Sequence, residues 1–184
     1  MTSNPTPPQT QAPEISALGA ALGTQQHHVR GILDGLDEPA LRRRELPSGW
    51  SPLGLMHHLG AMHQFWFRDV LGDEHLPLPS EEGTDFGLDP AQSSARVLAV
   101  FDQEAENALA VLRSLDLDTP PAWWPDDVFG GWRLDSQREV VLHVVTELST
   151  HAGQLDVVRE LIDGRTWSYA LGRVAEAHEK VGIM

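Results

Sequence analysis

Apolar residues along this chain recur at helical rather than alternating intervals. Between Pro13 and about Leu36, the positions Ile15, Leu18, Leu22, Val29, Ile32 and Leu33 follow a helical period and predict a first helix. Gly19, Gly23 and Gly31 weaken it, each by about 1 kcal/mol relative to Ala. A second helix begins in "PSGWSPLGLMHHLGAMHQFWFRDVLGDE", where Ser51 is a natural N-cap and Pro52 suits the first helical position, and it should stop near Gly72. "LPLPSEEGTDFGLDP" reads as a turn-rich connection. A third helix, roughly Pro90 to Ser114, carries Val97, Leu98, Phe101, Leu109 and Leu112 on its apolar stripe. After the long loop "DLDTPPAWWPDDVFGGWRLD", a fourth helix runs from about Ser136 to Ile162 and stops at Gly164.

No segment of useful length shows a strand period, so the expected fold class is all-α, a four-helix bundle with long inter-helix loops. The expected layout is a disordered polar lead-in over 1–12, the bundle over 13–167, and a tail over 168–184 that adds a short helix at most.

Composition narrows the chemistry. The 184 residues favour one domain with a real core. A formal charge of -14 argues against a phosphate-backbone binder, so no nucleic-acid partner is expected, and Arg42-Arg43-Arg44 is too short a run to reverse that. The absence of cysteine removes disulfides, thiolate metal ligands and a Cys nucleophile, so any metal must be held by His and carboxylate. Neither a signal-peptide pattern nor a membrane-length apolar run is present, and the expected location is the cytoplasm, away from membranes.

Helical phase sorts the histidines. At about 100° per residue, His58 falls among Leu55, Met62, Phe65 and Trp66, whereas His57 points with Gln64 and Arg68 to the polar side. On the fourth helix, Val141, Val144, Val145, Leu148, Ala152 and Leu155 form the apolar stripe. His151 lies at its edge, Glu147 about 40° further out and His143 about 40° beyond that. An inward His must be bonded or ligating, because burying it unpaired costs about 1–3 kcal/mol. Residues at i and i+4 are neighbours, so Glu147 and His151 are positioned to share one cation, with Gln154 placed to hydrogen-bond behind them. A solvated face and a satisfied core histidine stand as the alternatives.

The segments "LPSGWSPLGLMHHLGAMHQFWFRDVLG" and "ELSTHAGQLDVVRELIDGRTW" resemble the DinB-like superfamily, in particular its mycothiol-dependent maleylpyruvate isomerase type of metal-binding domain. That resemblance implies a four-helix bundle holding one divalent ion, zinc first and nickel second. Carried over by motif, its ligands are His58, Glu147 and His151, the same three that phase selects. Many members have His where Glu147 stands, and the Glu matches the maleylpyruvate isomerase branch. The resemblance also implies a low-molecular-weight thiol cosubstrate, mycothiol or bacillithiol, acting on an electrophilic small molecule.

Three protein ligands leave an open position, as in catalytic rather than structural sites. The first expectation is therefore a metal-dependent, thiol-using transferase or isomerase. The others are a metal-dependent hydrolase with Asp156 or a loop acid as base, and a non-catalytic, stress-associated metal-binding bundle, with a homodimer as a further expectation. A di-metal site on the ladder Glu139, His143, Glu147 and His151 lacks a matching His on the third helix. Trp50, Trp123, Trp124 and Trp132 either wall the pocket or pack the bundle end, and Arg159 and Arg165 either hold an anionic group or serve helix ends.

Overall fold

The computed structural model describes residues 9–77, 86–126 and 128–176, and these are mostly helical. Helix α1 spans Ala12–Gly31, preceded by a 3-10 turn at Gln9–Gln11. Gln11 fixes where it starts: its amide nitrogen donates to Asp116 (3.1 Å) and Asp118 (2.8 Å), and its oxygen accepts from the Leu117 N–H (3.0 Å). The polar lead-in thus ends at an anchored residue, and its first part, residues 1–8, lies outside the described residues.

The helical pattern predicted to reach Leu36 breaks at Gly31 into turns, and a short helix α2, Glu38–Leu41, follows with Asp37 as its cap. Helix α3, Pro52–His63, begins as the sequence reads: the Ser51 hydroxyl accepts from the Gly54 N–H at 3.1 Å. It continues without a break as a π-helix over Gln64–Val70, marked by the Leu71 N–H bonding to the Trp66 carbonyl at 3.1 Å. Gly72 ends the rod, where an added Cβ would lie 2.6 Å from the Arg68 carbonyl oxygen. Helix α4, Ser94–Leu112, starts later than Pro90 because Ser93 supplies the cap. Helix α5, Gln137–Asp163, is capped by Ser136 and closed by Gly164 at φ 74°, as expected.

Helix α3 packs along α4 and α1 along α5, with further contacts between α1 and α4 and between α3 and α5. Leu22, Val29, Leu53, Met56, Leu59, Phe101, Ala108, Val140, Val144 and Leu148 meet inside, each essentially removed from water.

The short helix entertained for the tail gives way, over its described part, to an antiparallel hairpin of β1, Arg165–Ser168, and β2, Arg173–Glu176. Four-residue strands are too short to print a period on the sequence. Trp167 and Ala175 are their buried members, and the Trp167 ring lies where a Cβ on Gly31 would sit, 2.7 Å from its Cζ3. Glycine is therefore required at the end of α1 for close approach. Residues 177–184 lie outside the described residues.

Candidate functional site

Two turns into α3, His58 projects toward α5, and two successive turns of α5 present Glu147 and His151. The His58 and His151 ring centroids lie 5.1 Å apart at an interplanar angle of 71°. Two imidazoles on one tetrahedral ion, with metal–nitrogen bonds of about 2.0–2.1 Å, hold their centroids about 5 Å apart. The pair therefore has a separation suited to sharing a cation. Glu147 Oε2 stands 3.6 Å from His151 Nε2, too long for a hydrogen bond but close to the spacing between two ligands of one ion. His151 Nδ1 meets Gln154 Oε1 at 2.9 Å. The Gln154 amide thus holds the Nδ1 edge of the ring, and Nε2 faces Glu147.

The solvated-stripe alternative does not hold for His151, whose side chain is 13% exposed, while Glu147 keeps 39%. Among the described residues, no three His, Asp or Glu side chains already close on one point as a ligand set.

The surroundings are aromatic. Phe86 lies 4.6 Å from the His58 ring, and its carbonyl oxygen is 3.1 Å from His57 Nδ1. His57, expected in solvent, is thus half-buried under the residue that flanks its neighbour. One turn before Glu147, the His143 ring sits 4.8 Å from Trp66 and 5.3 Å from Trp132. Burial pushes its pKa down, partly opposed by the Glu147 charge. The Trp-rich loop does pack: Trp124, Phe129 and Trp132 all reach the Trp66 ring, which the π-helical turn presents to them. It also borders the α5 ladder through His143.

Other nominated residues are engaged elsewhere. Asp156, suggested as a hydrolytic base, accepts from His28 Nε2 at 2.8 Å on the α1 side, where His28 also stacks on Trp167 at 4.6 Å. Arg159 is 1% exposed, donates to the Ile32 (2.6 Å) and Asp34 (2.9 Å) carbonyls, and forms a bidentate pair with Asp163. It caps the end of α1 rather than holding a ligand. Arg165 pairs across the hairpin with Glu176.

Sequence reasoning missed His63. It is fully buried, with Nδ1 2.7 Å from the Leu59 carbonyl and Nε2 3.1 Å from the Gln26 amide nitrogen. Burial holds its pKa at about 4, against a weaker upward pull from the Leu59 carbonyl. This is the satisfied core histidine that the phase argument had offered as the alternative for His58. The only available signal was the apolar character of α3 on nearly every side.

No curated protein matches the chain. The family described as mycothiol-S-transferase matches residues 17–164, a span that includes α3, α5 and all three candidate ligands. The chain belongs to the mycothiol-S-transferase family, within the DinB-like superfamily.

Proposed function

We propose that this protein is a metal-dependent S-transferase, a four-helix bundle of the DinB-like type in which His58, Glu147 and His151 hold one divalent ion. The observation that carries this reading is the approach of two imidazoles from helices far apart in sequence to 5.1 Å, at a place where the family match also applies. The donor set is nitrogen and oxygen without sulfur, which suits zinc first and nickel second. When bound, such an ion lowers the pKa of a thiol and favours its thiolate.

The chain's own residues do the rest. Gln154 orients the His151 ring, and Glu147 supplies the single negative charge of the set. Phe86 covers the outer face of His58, and the Trp66–Trp132 wall limits water on the His143 side. No protein cysteine is needed, because the nucleophilic sulfur arrives with the cosubstrate, mycothiol by family and bacillithiol as the chemical equivalent.

The test is metal content in protein never exposed to nickel resin. Wild type and His57→Ala should carry one ion per chain, while His58→Ala and His151→Ala should lose it with their helix content intact. Addition of mycothiol to cobalt-substituted wild type should produce a sulfur-to-cobalt absorption band. Full metal retention in both ligand variants would sink the reading.

A further inference from the structure

Two consecutive residues of α3 take hold of a single residue at two points. The His57 Nδ1–H donates to the Phe86 carbonyl oxygen at 3.1 Å. The Phe86 ring itself lies 4.6 Å from the His58 ring and 31° from parallel, close to an offset stack.

Phe86 stands in a backbone conformation better suited to glycine. Its φ is 49°, and Gly87 follows at 71°. A bulky side chain in the left-handed region is rare and persists only where its surroundings fix it. Those surroundings are His57 on the carbonyl, His58 on the ring and the buried Leu88 two residues later. A turn needed for its backbone alone would carry glycine or asparagine at position 86, so what this turn presents is the phenyl ring.

What the ring meets gives it a use. His58 also meets the His151 ring, 5.1 Å away at an interplanar angle of 71°. An imidazole packed against a fixed phenyl ring keeps fewer orientations, and the one it keeps here sets it beside His151. A solvated His57 would contribute nothing to this, but the residue is half-buried and bonded.

We infer that His57 is a positioning residue: by holding the Phe86 carbonyl it keeps the phenyl ring on His58 and so fixes how the His58 ring is turned toward His151. The inference rests on the ion-binding reading for its use, and its first test needs no metal. In the metal-free full chain, nuclear magnetic resonance should place the His58 ring protons upfield of their positions in Phe86→Leu, because the phenyl ring current falls on them. His57→Leu and His57→Ala, which lack the donor, should move them to the Phe86→Leu positions with helix content unchanged. His57→Asn, which returns an N–H at a similar reach, should restore the wild-type positions. In chelator competition His57→Leu should bind zinc about tenfold more weakly, yet fill to one ion per chain, and His57→Asn should recover the loss. Resonances that stay in place without the donor, or donor-less variants that match His57→Asn, overturn the inference. So does unchanged zinc affinity in His57→Leu where His58→Ala abolishes binding. Metal retention in His58→Ala strikes the ion-binding reading alone, since the resonances are read without metal.

Discussion

The His151 imidazole turns Nδ1 to the Gln154 amide oxygen at 2.9 Å, and with it the opposite nitrogen to Glu147. A hydrogen bond between neighbouring turns of one helix thus bears on how the ring of a candidate ligand is turned. Gln154→Leu should lower metal affinity about 10–100-fold without unfolding the protein, as measured by chelator competition. An unchanged affinity would show that the bond does not orient the ring.

Arg159 is expected to matter for stability and not for ligand binding. Arg159→Met leaves the Ile32 and Asp34 carbonyls and the Asp163 carboxylate without their donor, and should cost about 3–5 kcal/mol in urea unfolding. A loss under about 1 kcal/mol would contradict the cap described for the end of α1.

His63 should make the fold sensitive to acid. Its folded pKa of about 4 lies below the ordinary 6.5, so the unfolded chain takes up a proton that the folded chain refuses between those values. Above pH 6.5 the residue is neutral in both states and adds no pH dependence. Stability then falls as pH drops through the window, by about 3 kcal/mol in full. Chemical unfolding at pH 7 and pH 5 should show a smaller difference in His63→Leu than in wild type; identical differences would exclude His63 as the source.

Gly31→Ala sets a helix-propensity gain of about 1 kcal/mol against a clash of the new methyl with the Trp167 ring. The clash should win, giving a net loss of about 1–3 kcal/mol. In a Trp167→Ala background the same change should become neutral or stabilising, and this double-mutant comparison isolates the contact.

What the sequence displayed clearly was whatever physics writes locally. Ser51 before Pro52, Ser136 before α5 and Gly164 after it are short-range signals, and all three ends fall where they indicate. The paired approach of His58 and His151 was legible because an amphipathic period reports which side faces inward. The hairpin was not, since its strands are short and Trp167 packs on α1, which lies far away in sequence. His57 and His63 were misjudged or missed for a related reason. Helix α3 is covered on several sides, so its polar face is also packed, and a one-sided wheel cannot rank positions on such a helix.

The rod that begins at Pro52 is wound in two ways, and this divides its labour. The tighter α winding fixes the bearing of His58, and the looser π winding downstream fixes where Trp66 meets the loop. A one-residue deletion within Gln64–Val70 would restore ordinary winding and swing the aromatic wall to a new azimuth while leaving the upstream imidazole untouched. The placement of the aromatic wall can in this way shift through changes of backbone pitch alone, with the upstream imidazole held constant.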